Sequence, residues 1–293
     1  MRKRFDSNSN DNTLFVTEQC NNHCIMCCQP PKRKDDIERL FKENIRLVRS
    51  APKELKVLGI SGGEPTLLAD KLFELISEIR HSLPDTGIHL LSNGRAFANQ
   101  DFTHRLKIAA EDKVCVGVPF HSDYYEDHDK IAGSKGAYEE TMLGLYSLAS
   151  EGIEIELRIV LNRLNYFRLP QMSEFISKNL PFVKWVAFMG MERTGLAVKN
   201  LDKIWIEPQE YIAELTEAVQ RLYDWDIDTA IYNIPLCLLP KTYHQFAEKS
   251  ISDWKVKYQP CCDGCVLKNN CCGSFATSSE PFLGIKPFAY GDL

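Results

Sequence analysis

Cys20-Asn21-Asn22-His23-Cys24-Ile25-Met26-Cys27 follows directly on a short apolar run, Leu14-Phe15-Val16, that has the character of a strand. Three thiols spaced C-x3-C-x2-C can wrap one face of a cubane [4Fe–4S] cluster, each sulfur taking one iron and leaving the fourth iron without a protein ligand. An iron left open is a place for a small molecule to chelate. Zinc sites also use cysteine, but they pair C-x2-C with a second C-x2-C or H-x3-H nearby. Cys20, Cys24 and Cys27 have no such neighbour, and Cys28 adjoins Cys27 too closely to be an easy fourth ligand. The three are therefore the expected cluster ligands, with the adaptable thioether of Met26 covering the cluster edge.

Outward from this loop, composition sets limits. The 293 residues are 44% hydrophobic, enough for a substantial core, and carry a net charge of -5 with a pI near 5.9. That balance offers no global attraction to nucleic acid. The basic run Pro30-Pro31-Lys32-Arg33-Lys34 reads as a solvated rim of the loop. The start, Met1-Arg2-Lys3-Arg4, has no apolar signal-peptide core, and no run of about eighteen apolar residues occurs. The expectation is a cytoplasmic protein with no membrane partner. Eleven cysteines in a reducing compartment point to metal ligation rather than disulfides, the more so because only Cys115 and Cys237 lie between the two terminal groups.

Beyond the loop, two periodicities alternate. Ile37, Leu40, Phe41, Ile45 and Val48 recur at helical spacing, 55–60 reads as a buried strand, and Leu68, Leu72, Leu75, Ile76 and Ile79 mark a second helix. The order continues with strand 88–91, helix 102–110, strand 114–119, helix 138–150, strand 153–161, helix 169–179, strand 183–189 and a long helix 208–223. Six units in strict alternation imply parallel strands with crossover helices, too few for an eight-unit barrel. From about Trp225 the alternation stops, which divides the chain into a core, 1–224, and a tail, 225–293.

In parallel α/β folds chemistry gathers at the C-terminal ends of the strands. Ser61-Gly62-Gly63-Glu64-Pro65 follows the second strand: the glycines let backbone approach a ligand, and the carboxylate can accept from an ammonium. A polar turn, Ser92-Asn93-Gly94-Arg95, follows the third. After the fourth come His121 and then Asp127-His128-Asp129, which can relay protons or orient a substrate, or else cap the next helix. The fifth strand places Glu156, Arg158 and Val160 on one face and runs to Asn162; charges on a central strand call for a polar cavity. After the sixth, Met189-Gly190-Met191-Glu192-Arg193-Thr194-Gly195 sets small residues beside charged ones, an edge for an adenine or a substrate.

The cysteine spacing and the Gly-Gly-Glu turn resemble the radical S-adenosylmethionine (radical SAM) superfamily. The resemblance implies an α/β fold, a partial (β/α)6 barrel open on one side, with a small C-terminal Fe–S-binding extension. It implies a cluster on Cys20, Cys24 and Cys27 whose open iron chelates SAM. The residue before the last ligand, commonly aromatic in the family, is Met26 here. By the same resemblance Gly62, Gly63 and Glu64 bind the SAM amino group, and Ser92 and Asn93 stand where the family has its T-N-G stretch; Arg158, a charge on a central strand, is a candidate to contact the SAM carboxylate or ribose or else to form a structural ion pair, and Asn162 and Met189 are further candidates for the cofactor site. The implied chemistry is reductive cleavage of SAM to methionine and a 5′-deoxyadenosyl radical, fed by a flavodoxin- or ferredoxin-type electron donor.

The tail carries Cys237, Cys261-Cys262-Asp263-Gly264-Cys265 and Cys271-Cys272-Gly273. Cys237, one of the adjacent Cys261 and Cys262, Cys265 and Cys271 make a full four-thiolate set, and a structural zinc would want the same four. With Cys262 the spacing is C-x2-C-x5-C, which resembles the ends of SPASM and twitch domains and implies one auxiliary [4Fe–4S] cluster. Cys24-Ile25-Met26-Cys27, Tyr232-Asn233-Ile234-Pro235-Leu236-Cys237-Leu238-Leu239-Pro240, Ser250-Ile251-Ser252-Asp253-Trp254-Lys255 and Cys271-Cys272-Gly273-Ser274-Phe275 look like the radical SAM maturases of the His-Xaa-Ser repeat system. That likeness implies an oxidoreductase-type enzyme maturing a ribosomally made peptide encoded nearby. Two other readings stand beside it: a radical SAM enzyme acting on a small metabolite or nucleotide, and a non-catalytic Fe–S or zinc sensor or scaffold. The Gly-Gly-Glu turn speaks against the last, because a scaffold has no use for a SAM amino-group site.

Overall fold

A computed structural model describes residues 5, 6 and 12–292; the basic start Met1–Arg4 lies outside the described residues. Eight strands form one sheet in sequence order: β1 (Asn12–Phe15), β2 (Val57–Ser61), β3 (Gly87–Leu91), β4 (Val114–Pro119), β5 (Glu154–Val160), β6 (Trp185–Met189), β7 (Asp228–Tyr232) and β8 (Ala247–Glu248). The registers of β1 with β2, β2 with β3, β3 with β4, β6 with β7 and β7 with β8 are all parallel. Between strands run α1 (Ile37–Ser50), α2 (Asp70–Ser82), α3 (Gln100–Ala110), α4 (Tyr125–Ala132), α5 (Ala137–Ser150), α6 (Leu169–Asn179), the single turns α7 (Leu196–Lys199) and α8 (Leu201–Ile204), and α9 (Pro208–Asp224). This is the parallel α/β architecture of a partial barrel. Ile88 and Leu90 on β3, Val114, Val116 and Val118 on β4, and Ile155, Leu157 and Ile159 on β5 are all buried. With a side-chain period of two, the residues between them, among them His89, Gly117, Glu156 and Arg158, share the opposite face of the sheet.

The expectation that alternation ends at Trp225 is corrected by β7 and β8, which extend the sheet past the sixth strand. β7 reads Asp228-Thr229-Ala230-Ile231-Tyr232 and buries only Ile231, so it lacks the continuous apolar run of the strands before it. α4 escapes the same periodicity test because its sequence, Tyr125-Glu126-Asp127-His128-Asp129-Lys130-Ile131-Ala132, is mostly charged.

By contact density the chain falls into two compact units, one of residues 1–24, 29–119 and 132–157, the other of 25–28, 120–131 and 158–293. In the first, Asp36 precedes α1 and accepts from Thr17 Oγ1 at 2.8 Å and Glu18 N at 3.1 Å, which ties the exit of β1 to the helix start. Gly63 N donates to Thr17 O at 2.7 Å and Glu64 N to Gln19 O at 2.8 Å, and a Cβ at Gly63 would stand 2.1 Å from Gln19 O. The turn after β2 therefore lies against the start of the cysteine loop, an approach that only glycine permits.

The second unit holds the tail by polar bonds. α9 opens with Pro208 and a capping box between Glu207 and Glu210. Arg193, 5% exposed, pairs with Glu207 at 2.8 Å and Glu280 at 2.7 Å and lies 3.6 Å over the Trp205 ring. Its backbone N donates to Ser278 Oγ at 3.0 Å. Glu192 pairs with Lys255 at 3.1 Å and accepts from Thr277 Oγ1. The segment expected to form an adenine or substrate edge thus spends its charges on fastening the tail. Within the tail, β9 (Val256–Lys257) and β10 (Ser274–Phe275) pair antiparallel. No described helix is long and apolar enough to cross a membrane.

Candidate active site

In the first unit the polar centre is Glu64. It is 1% exposed, and Oε1 accepts from Thr66 N at 3.0 Å, Thr66 Oγ1 at 2.7 Å and Ser92 Oγ at 2.8 Å, while Oε2 accepts from Asn93 N at 2.7 Å. Desolvation pushes its carboxyl above the ordinary value, and these donors pull the other way. Three donors crowd Oε1 and one reaches Oε2, so a lone pair on Oε2 stays open to a further donor. Asn93 Nδ2 in turn donates to Asn21 Oδ1 at 2.6 Å. Gly62, Gly63, Glu64, Ser92 and Asn93 are thereby brought against the cysteine loop.

Two groups in this unit take partners that the sequence did not disclose. Arg95 Nη1 stands 3.0 Å from Asn21 O, 2.7 Å from Asn22 Oδ1 and 2.9 Å from Ser134 Oγ, and its Nε donates to Glu140 Oε2 at 2.5 Å. An arginine closing a polar turn carries no pattern that separates it from a solvated one. Glu156, 1% exposed, meets His89 Nε2 at 2.7 Å. Here a signal existed, since His89 falls on the alternating face opposite Ile88 and Leu90, where a charged partner would have to be.

The cysteine loop is held at both ends. Asn22 N donates to Cys20 Sγ at 3.3 Å, and His23 N to Ala132 O at 3.0 Å. Burial pushes the Cys20 thiol up. In the second unit, Ile25 N donates to Ile131 O at 3.0 Å and Leu196 N to Cys27 O at 2.8 Å, while Asn200 Nδ2 reaches Ile25 O at 2.9 Å. Gly195, at φ 62°, sits so close beneath that a Cβ would stand 2.4 Å from Cys27 O. Met26 is buried. Cys20, Cys24 and Cys27 are half-buried and outside any disulfide, so each could give the thiolate a cluster takes.

The strand ends of the second unit place the other expected residues. His121 and His128 are buried with ring centroids 5.0 Å apart, and His121 N donates to His128 Nδ1 at 3.4 Å. Asn165 Nδ2 donates to His121 O at 3.1 Å. Desolvation holds both imidazoles down, His128 to about 4, so both are neutral at neutral pH. Asp127 and Asp129 flank His128 on α4 and are only half-buried. Asn162 spends its side chain on the turn after β5, donating to Val160 O at 2.9 Å and accepting from Leu164 N at 2.9 Å. Arg158 O accepts from Phe120 N at 3.0 Å and Met189 O from Leu161 N at 2.9 Å; both side chains are half-buried.

The tail gathers its thiols. Cys237, Cys262, Cys265 and Cys271 line one cleft, with Tyr258 and Lys268 beside them. Cys271 Sγ accepts from Leu236 N and Gly273 N, both at 3.4 Å, and Cys265 Sγ from Phe288 N at 3.3 Å. A hydrogen bond from the Cys272 thiol, with these amides, holds Cys271 down to about 6, whereas burial pushes Cys237 and Cys262 up. Of their sequence neighbours, Cys261 is exposed and Cys272 is buried. Among the described residues no three His, Cys, Asp or Glu side chains close on a single-ion site.

The family model of the radical SAM superfamily matches residues 14–176, more than half of the chain. The curated Fe-coproporphyrin III synthase of Methanosarcina barkeri is 24% identical over 214 residues, covering 71% of this chain and 51% of that protein. SuiB of Streptococcus suis, solved bound to S-adenosylmethionine, matches with a TM-score of 0.59 at 12% identity over 75% of this chain and 49% of its own. Native anSMEcpe, solved with bound AdoMet and Cp18Cys peptide, matches with a TM-score of 0.57 at 17% identity over 75% of this chain and 62% of its own. Structural likeness at such identities shows the fold. The chain spans about half the length of the curated relative it matches.

Proposed function

The chain belongs to the radical SAM superfamily, and from that premise we propose that it is an oxidoreductase-type enzyme that matures a ribosomally made peptide. In this reading Cys20, Cys24 and Cys27 hold one [4Fe–4S] cluster, and Cys237, Cys262, Cys265 and Cys271 hold an auxiliary one. Bound together, the first cluster and SAM supply a 5′-deoxyadenosyl radical that takes hydrogen from an unactivated carbon, and the auxiliary cluster supplies a place for the electron an oxidative reaction releases.

The observation that carries the proposal is the tail cleft, where four thiols share one space and backbone amides point at two of the sulfurs. Thiolates that accept N–H bonds are the donors an Fe–S cluster takes. In the first unit the chain's own work is binding and orientation. Glu64 Oε2 offers its open lone pair to the SAM ammonium in a charge-assisted bond, while Ser92 and Asn93 keep the carboxylate aimed. Arg158 and Met189 serve the rest of SAM. His121, Asp127, His128 and Asp129 remain the catalytic candidates, with the neutral histidine pair suited to positioning backbone at the strand end. A flavodoxin- or ferredoxin-type carrier delivers the electron in the cytoplasm.

Support for a peptide comes from the strings shared with His-Xaa-Ser maturases and from the peptide held by the solved relative. A small metabolite of tetrapyrrole type is the second reading, favoured by the Fe-coproporphyrin III synthase. Anaerobically reconstituted protein given SAM and reductant, with either the neighbouring peptide or a coproporphyrin, separates them by product mass. A changed peptide mass supports the first reading, and a changed tetrapyrrole alone supports the second. Intact SAM beside a loaded cluster would sink both.

A further inference from the structure

We propose that Arg95 is a positioning residue for the cluster loop: it fixes Asn22 so that the backbone amide points at the Cys20 sulfur, and it sets a positive charge on the loop next to that ligand, easing reduction of the cluster. The inference rests on Cys20 being a cluster ligand, as read above.

Four bonds converge on one side chain. The Arg95 side chain is 12% exposed, its Nε locked by Glu140 on α5, its Nη1 aimed at Asn21 O, Asn22 Oδ1 and Ser134 Oγ. Asn21 and Asn22 are the two residues that follow Cys20, so the guanidinium grips the loop just past the ligand. Asn22 is buried, and its N–H is the donor to Cys20 Sγ. Asn93 holds Asn21 from the other side at 2.6 Å. The loop amide is thus aimed by side chains outside the loop. Bonded to Asn21 O and Asn22 Oδ1, the guanidinium brings a positive charge onto the loop within two residues of the Cys20 ligand. Net charge and hydrogen bonds to the sulfurs set the potential of an Fe–S cluster. A cation on the loop and an N–H···S bond at the ligand both favour the reduced state.

The test compares the full chain, reconstituted anaerobically, with Arg95→Met and Arg95→Lys by EPR-monitored redox titration of the signal that Cys20→Ala abolishes. Amide exchange at Asn22 is measured in parallel on cluster-free protein. In Arg95→Met the midpoint should move to more negative potential and the Asn22 amide should exchange roughly tenfold faster, the worth of one good hydrogen bond. Arg95→Lys should recover part of the midpoint while leaving the fast exchange, because a point charge survives where the planar fork does not. Wild-type midpoint and wild-type exchange in Arg95→Met would overturn the proposal. Should Arg95→Met fail to fold, Asn22→Ala removes the acceptor alone, and unchanged exchange at that amide overturns it equally. If no signal depends on Cys20, the ligand assignment fails, and the exchange data still decide whether Arg95 orients the loop.

Discussion

Glu64 is 1% exposed and accepts four hydrogen bonds, so small changes there should have readable effects. Glu64→Gln replaces one acceptor oxygen with a donor, which must face either the crowded Oε1 partners or the SAM ammonium. SAM affinity should fall roughly tenfold or more in equilibrium dialysis while the cluster absorption persists. Unchanged affinity would move the amino-group site elsewhere. The His121 and His128 pair makes a prediction in pH. The unfolded chain protonates these rings below their ordinary value of 6.5, whereas folded His128 stays neutral down to about 4. The unfolded state binds more protons in that window, so stability is full above it and falls as pH drops through it. Chemical denaturation should show a loss on the order of 2 kcal/mol for His128 between pH 7 and pH 5, and His128→Gln should flatten that slope. His121, held down in the same way, keeps its own share of the slope, so an undiminished slope in the variant would assign the loss to other groups.

At the scale of elements, the segment after β6 fastens the tail through Arg193, which is buried between Glu207 and the Trp205 ring. Arg193→Met would leave Glu207 without its cation and cut the bond to Glu280, whose carboxylate is largely exposed and contributes little. A destabilisation of about 3 kcal/mol is expected from breaking the buried half of this network, with limited proteolysis shifting to residues 276–286; a resistant tail in the variant would refute the fastening role. The same region shows what sequence can and cannot disclose. The six apolar strands and their helices announced themselves, because residues buried on a strand or along a helix stripe must recur at the period of the backbone. β7 and α4 did not, since each has only one or two buried apolar residues and is specified by its neighbours. For the candidate site, Cys20, Cys24 and Cys27 and then Gly62, Gly63 and Glu64 could be singled out because spacing along two short stretches carries them. The partners of Arg95 lie up to dozens of positions away, where no local pattern reports a contact, and the alternation that put His89 on the polar face did not name Glu156 as its partner. Glu192 reaches Lys255 and Thr277 in the tail, and Arg193 reaches Glu207 and Trp205 as well as Glu280, contacts that the sequence around residues 189–195 does not disclose.

For the molecule as a whole, two separate thiol groups forecast separable losses. Reconstituted protein should bind roughly eight irons. Replacing Cys20, Cys24 and Cys27 with Ala should remove about half of that iron and all SAM cleavage. Cys265→Ala with Cys271→Ala should remove the other half, leave SAM cleavage without substrate, and abolish conversion of the peptide. Stoichiometric zinc with iron near four would replace the auxiliary cluster with a structural metal, and normal peptide conversion by the double variant would deny the tail thiols any part. The short strand β8 covers only part of β7: their register joins Ala247 to Ile231 and Glu248 to Tyr232 and, among the described residues, leaves a gap beside Asp228, Thr229 and Ala230 where another chain could pair. Asp228, exposed and charged at the mouth of that gap, repels such a visitor. Exchanging it for valine should turn a guarded margin into a nucleus for aggregation, visible as light scattering that climbs with protein concentration while the folded fraction at high dilution stays the same.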